Sequence, residues 1–223
     1  MIVAIDGPAA SGKSTVARAI ATELGMAYLD TGAMYRAIAV EAVRQGIPLN
    51  DAEALTRLAL DAHIHFGHER GTGLATHVEV DGRDVTMEIR TPEADKAVSP
   101  VSAIPGVRAA MVEQQRRIAA RGLDIVLEGR DIGSVVFPHA ELKIFLTASA
   151  AERARRRTID MERRGANMTY DEVLADIHRR DTYDSSRSAS PLIKADDAIE
   201  LDTTGMTVLE VVAEIERLVA ERR

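Results

Sequence analysis

Residues 7–14 read GPAASGKS and directly follow the short run Ile2-Val3-Ala4-Ile5-Asp6. A Gly-x-x-x-x-Gly-Lys-Ser loop between a strand and a helix turns its backbone N–H groups inward, where they cradle phosphate oxygens at the positive end of the helix. Gly7, Pro8, Ala9, Ala10, Ser11, Gly12, Lys13, Ser14 and Thr15 are therefore the candidate cradle. Lys13 suits the β and γ phosphates, and the Ser14 hydroxyl suits a Mg²⁺ ion. Val16, Ala17, Ile20 and Leu24 supply the apolar stripe of the helix that follows. The expectation is a bound nucleoside triphosphate with Mg²⁺; the loop alone does not say what receives the phosphoryl group.

Three other clusters bear on the acceptor. The apolar run Ile125-Val126-Leu127 ends in Glu128-Gly129-Arg130-Asp131. An acid at the tip of such a strand is a candidate for holding Mg²⁺, and Arg130 and Asp131 follow it into the same loop. Asp30-Thr31-Gly32-Ala33-Met34-Tyr35-Arg36 runs from a strand into a helix, where Asp30 or Thr31 equally serves as an N-cap and Arg36 as a solvated side chain. Residues 153–187 are rich in arginine. Arg155, Arg163, Arg164 and Arg179 read best as an exposed helical face laced with carboxylates. The two helices joined by Gly165-Ala166-Asn167 are also able to close as a lid over a transferring phosphoryl group.

Positioning these groups takes a regular frame. Ser149-x-x-Glu152, Thr169-x-x-Glu172 and Thr207-x-x-Glu210 are capping boxes that predict helices over about 150–165, 170–186 and 208–221. Strands are predicted at Ile2–Asp6, Ala27–Asp30, Asp124–Glu128, Leu142–Thr147 and Ala198–Leu201. The expected fold class is α/β: a three-layer α/β/α P-loop domain with a five-stranded parallel sheet, a small antiparallel β insertion and a helical lid. The insertion is placed at 62–100, where residues from His63 to Thr86 alternate polar and apolar around an Asp81-Gly82 turn and Thr91-Pro92 opens a helix. The core is expected at 1–61 and 101–223, with the lid at about 153–168. His63, His65 and His77 of the insertion are expected to face solvent rather than a metal.

Composition narrows the function classes. At 223 residues, 46% hydrophobic and 28% charged, the chain suits one globular domain with a modest insertion. With no cysteine, disulfides, thiolate metal sites and cysteine nucleophiles are excluded. A net charge of −7 argues against broad nucleic-acid binding. The apolar start is broken by Asp6 and has no basic segment before it, and no apolar run reaches membrane length, so a cytoplasmic protein with no membrane partner is expected. No exposed apolar stripe is evident, which favours a monomer.

Taken in order, GPAASGKST (7–15), DTGAMYR (30–36), GRDIGSVVFP (129–138) and RDTYDSSRSASPL (180–192) resemble the bacterial cytidylate kinases, over essentially the whole chain and including the β insertion. The one departure is Thr31, where the family often has Ser, and both carry a hydroxyl. The resemblance implies transfer of the γ-phosphoryl of ATP to CMP or dCMP. It assigns the cytosine base to Ser99, Arg108 and Asp131, the ribose to Asp184 and Arg187 with Thr31 close by, and the acceptor phosphate to Arg36, Arg130 and Arg180. Arg153 and Arg157 are the lid candidates, and Ser14 and Glu128 the metal candidates. Two rivals remain at this stage. A small-metabolite P-loop kinase acting on shikimate or gluconate needs a catalytic base and leaves RDTYDSSR unexplained. A regulatory GTP switch needs an Asn-Lys-x-Asp motif, yet lysine occurs only at 13, 96, 143 and 194.

Overall fold

The computed structural model of the chain describes residues 1–68, 75–120, 122–163, 165, 168–187 and 189–223. The expected joint residues Ala166 and Asn167, together with Arg164 and positions 69–74 of the insertion, lie outside the described residues. In chain order the elements are β1 (Ile2–Asp6), α1 (Lys13–Glu23), β2 (Ala27–Asp30), α2 (Thr31–Arg44), α3 (Ala52–Asp61), β3 (Ile64–His68), β4 (Ala75–Val80), β5 (Arg83–Asp84), α4 (Pro92–Ala103), α5 (Pro105–Ala119), β6 (Ile125–Gly129), β7 (Leu142–Thr147), α6 (Ala150–Arg163), α7 (Tyr170–Ser186), β8 (Ile199–Asp202) and α8 (Val208–Ala220). Five strands form one sheet in the order β2-β6-β1-β7-β8, and three form a second in the order β3-β4-β5. No helix among the described residues is long and apolar enough to cross a membrane.

By its contacts the backbone divides into two compact units, Met1 with Ala21–Leu127, and Ile2–Ile20 with Glu128–Arg223. In the first, helix starts follow local chemistry. Asp30 caps α2 by accepting from Ala33 N at 3.0 Å, Asp51 caps α3, and Thr91 caps α4, whose first residue is Pro92. The small sheet is antiparallel, with Ile64 opposite Val80 and Val80 opposite Arg83. Its β4–β5 turn puts Asp81 at φ 51° and Gly82 at φ 79°, the paired left-handed residues of a tight hairpin. Buried Glu41 of α2 accepts from Arg44, Gln45 and, on the β5 strand, Arg83. The bonds from Arg44, offset by burial and helped by Gln45 and Arg83, pull its carboxyl down to about 2.

In the second unit, β1–β7 and β7–β8 are parallel, with Asp6 opposite Phe145 and Thr147 opposite Asp202, so the carboxyl ends of the three strands lie at one end of the sheet. Val3, Ala4, Ile5, Leu142, Ile144 and Leu146 are buried, as a sheet covered by helices on both faces requires. α7 and α8 carry complete capping boxes at Thr169/Glu172 and Thr207/Glu210. The third expected box is half formed. Ser149 Oγ accepts from Glu152 N at 3.2 Å, but the Glu152 carboxylate is taken by Arg155 and Arg156 instead of the cap backbone. Ala154 of α6 with Val173 and Ile177 of α7 form a buried apolar seam, against which Met161, Met168, Leu174 and Ala10 of the P-loop pack.

Candidate active site

The P-loop leaves the carboxyl end of β1 and closes on the first turn of α1. A side chain at Gly7, whose φ is 153°, would place its Cβ 2.0 Å from the Leu146 carbonyl oxygen, so only glycine lets the loop lie against β7. Ala10 sits at φ 60°, a left-handed conformation seldom stored outside functional loops. Lys13 is buried and donates from Nζ to the Pro8 carbonyl at 2.7 Å and to Ser11 Oγ at 3.4 Å. Burial, then the charge of Arg130, lowers its ammonium to about 7, against the pull of Glu128, Asp6 and Asp184. A phosphate in the cradle would supply the anionic partner that such a lysine needs.

At the head of α1, Ser14 Oγ donates to Glu128 Oε2 at 2.8 Å, and Glu128 is buried at the end of β6. Two hard oxygen donors, one hydroxyl and one carboxylate, fit a Mg²⁺ ion that keeps its remaining positions for water and phosphate. No group of three or more His, Asp or Glu able to enclose a metal occurs among the described residues.

Beyond Glu128 the loop carries Arg130 and Asp131. Arg130 Nε donates to Asp184 Oδ2 of α7 at 2.9 Å, and Arg187 Nη1 stands 3.8 Å from Asp184 Oδ1. Burial pushes the Asp184 carboxyl up, but Arg130, Arg187 and Arg180 together bring it below its usual range. Arg180 is 3.9 Å from Asp176 one turn earlier. The structure thus brings together Arg130, Asp184 and Arg187 of the expected acceptor set. In the other unit it gathers Arg36, Ser99 and Arg108 around α2, α4 and α5. Arg36 Nη2 pairs with Asp95 Oδ1 at 3.2 Å, Ser99 is half-buried one turn further along α4, and buried Arg108 lies 5.3 Å from the Tyr35 ring centre and donates to the Ser102 carbonyl. Thr31 is buried behind the Asp30 cap.

The arginines of α6 divide by face. Arg155 is exposed and pairs with Glu152, as a surface reading expects. Arg153 is buried and makes a two-pronged contact with Asp181 of α7 at 3.0 and 2.6 Å, while also donating to the carbonyls of Ala148 and of Ala9 in the P-loop. Arg156 donates to Ser11 O at 3.5 Å and to Thr203 Oγ1 and O at 3.0 and 2.7 Å. Arg157 faces Asp160 at 3.8 Å. Sequence reasoning passed over Arg156, Asp181 and Asp6. The i,i+3 spacing of Arg153 and Arg156 put both on one helix face, and Asp6 ends an apolar strand just as Glu128 does.

A Gly-rich phosphate loop on a strand–helix junction, a serine hydrogen-bonded to a buried carboxylate at its head and arginines on the neighbouring helices define a P-loop phosphotransferase. The chain belongs to the cytidylate kinase family: a cytidylate kinase family profile matches residues 3–221. A cytidylate kinase from Desulfitobacterium hafniense (strain Y51) is 50% identical over 213 residues, 96% of this chain and 90% of that protein. A bifunctional pantoate ligase/cytidylate kinase from Synechococcus sp. (strain JA-3-3Ab) is also 50% identical over 97% of this chain, which spans 40% of its length. An uncharacterized protein from Eubacterium ventriosum ATCC 27560 shares the fold, with a TM-score of 0.54 at 12% identity, 100% of this chain and 99% of that one being covered.

Proposed function

We propose that this chain transfers the γ-phosphoryl group of ATP to CMP or dCMP, giving ADP with CDP or dCDP. The observation that carries this beyond family membership is the 2.8 Å hydrogen bond from Ser14 to Glu128 at the phosphate cradle, in the same unit as the Arg130–Asp184 pair. No catalytic base is needed. A phosphate monoester has its second pKa near 6, so the attacking oxygen is already anionic at neutral pH. What must be overcome is repulsion between two polyanions, and Lys13, Arg36, Arg130 and Arg180 offset it while the loop N–H groups hold the donor in line. Ser14 and Glu128 are the residues that would hold Mg²⁺, which when bound neutralises charge on the donor phosphates.

For the acceptor, Asp131 accepts from the N4 amino group of cytosine, while Ser99 and Arg108 serve its N3 and O2 acceptors. Uracil presents an acceptor at position 4, which a carboxylate repels. Asp184 and Arg187 bind the ribose hydroxyls, with Thr31 beside the nucleotide. The segment 62–100 acts as the monophosphate-binding subdomain and about 153–168 as a lid. Arg157 acts from the moving part of the lid and Arg153 from its anchored base, through the Ala9 carbonyl. Closing excludes water and limits wasteful hydrolysis of ATP. A monomer working in the cytoplasm fits this soluble chemistry.

The test is coupled ADP release from ATP and Mg²⁺ with CMP, dCMP, UMP, AMP, GMP and shikimate as acceptors. CMP and dCMP should stand out in kcat/KM; equal turnover of AMP or shikimate would refute the assignment.

A further inference from the structure

The residue in the capping position of the helical turn 132–136 is Asp131, yet its side chain makes no capping hydrogen bond. An aspartate there ordinarily folds back to accept from the backbone N–H groups two or three residues on. Of those two donors, Gly133 N and Ser134 N, the first is already taken from far away in sequence, together with the neighbouring Ile132 N. Asp6, the last residue of β1, accepts from Ile132 N at 2.8 Å through Oδ1 and from Gly133 N at 2.7 Å through Oδ2. Asp6 is 6% exposed, so both bonds are shielded from water. Its backbone is fixed twice over: it is in register with Phe145 of β7, and it leads directly into Gly7, which lies against β7. The carbonyl of Asp131 is also committed, accepting from Val135 N at 2.9 Å and Val136 N at 3.1 Å.

We propose that Asp6 is a positioning residue for base selection: by capping the 132–136 turn in place of Asp131, it keeps the Asp131 carboxylate from turning back on its own backbone and fixes it relative to the P-loop. This rests on the reading of Asp131 as the group that meets the cytosine amino group. If the donor at Gly133 is vacated, the nearest acceptor able to fill it is Asp131 itself, and the choice of base is lost with it. The two buried N–H groups cannot be left without partners at no cost, so self-capping is the favoured outcome.

The test is the ratio of kcat/KM for CMP to that for UMP, measured for wild type, Asp6→Ala, Asp6→Asn, Asp131→Ala and Asp6→Ala/Asp131→Ala. Simple loss of stability lowers both substrates together and leaves the ratio alone. The expected result is a fall in the ratio of about tenfold or more for Asp6→Ala. Asp6→Asn, which keeps one acceptor oxygen, should lie between it and wild type. The double variant should show the same ratio as Asp131→Ala, because two residues acting through one contact do not add. An unchanged ratio in Asp6→Ala with a collapsed ratio in Asp131→Ala would overturn the role of Asp6 and leave that of Asp131 standing. An unchanged ratio in Asp131→Ala would refute the base reading, and the role of Asp6 with it. Should Asp6→Ala not fold, Asp6→Asn alone decides: a lowered ratio supports the positioning role and a wild-type ratio overturns it.

Discussion

Replacing Asp181 with alanine should loosen the α6–α7 pair from the P-loop. The Arg153 side chain is 7% exposed and Asp181 27%, and their two hydrogen bonds measure 3.0 and 2.6 Å. Without Asp181 the guanidinium stays buried with only the Ala148 and Ala9 carbonyls to receive it. Breaking a buried pair on one side costs about 3–5 kcal/mol, and the partial exposure of Asp181 favours the low end, about 3 kcal/mol. For a chain of this size that corresponds to a fall in Tm of roughly 6–12 °C. Thermal unfolding followed by circular dichroism, with hydrogen exchange across α6 and α7, measures it. Arg153→Ala/Asp181→Ala removes the stranded charge and should fall short of the sum of the single effects by about 2 kcal/mol. Additive single effects, or a Tm shift for Asp181→Ala of under about 2 °C, would show that the pair does not hold the helices to the loop.

Other consequences are as direct. Glu128→Gln should weaken activity about 10–100-fold and raise the Mg²⁺ concentration needed for half-maximal ADP release; an unchanged Mg²⁺ dependence would remove Glu128 from the metal site. Gly7→Ala should cost about 1–3 kcal/mol of strain in the loop and raise KM for ATP more than that for CMP in initial-rate measurements, because its Cβ meets the Leu146 carbonyl. Burial, partly offset by the Gly133 and Ile132 N–H groups and reinforced by Asp131, raises the Asp6 carboxyl from 3.8 to about 6. A folded-state pKa above the unfolded one stabilises below pH 4, and that contribution is lost as pH rises through about 6. Asp6→Asn should therefore gain on wild type by about 3 kcal/mol between pH 4 and 7, then run parallel to it; denaturant unfolding across that range checks this, and a constant offset would contradict it.

The frame was readable wherever local chemistry decides it. The P-loop, the strand ends at Asp6, Asp30 and Glu128, the Asp81-Gly82 hairpin and the boxes at Thr169 and Thr207 all follow from neighbouring residues in the chain. What escaped was the choice of partner among several within reach. Glu152 has its own cap backbone, Arg155 and Arg156 all within a helical turn, and the guanidinium groups win its carboxylate because charged pairing outweighs a neutral N–H. Asp131 has the sequence position of a cap, but the Gly133 N–H it would serve is taken by the tertiary approach of Asp6. Arg153 was expected among the arginines of a lid; that its fork closes on Asp181 depends on where α7 returns against α6, which no local pattern encodes.

Arg153 and Arg156 also restrict where the α6–α7 hairpin can bend. The first holds α6 to Ala9 and Asp181, the second to Ser11 and Thr203, so the opening turns of α6 travel with the phosphate loop and the end of β8. If 153–168 closes as proposed, its hinge falls beyond Arg156. Only the stretch from Arg157 to Arg163 is then left as a lever, roughly 10 Å of helix at 1.5 Å per residue. Such a short arm sweeps a tip rather than a whole domain, and its swing is set by the length of helix that the two arginines leave unanchored.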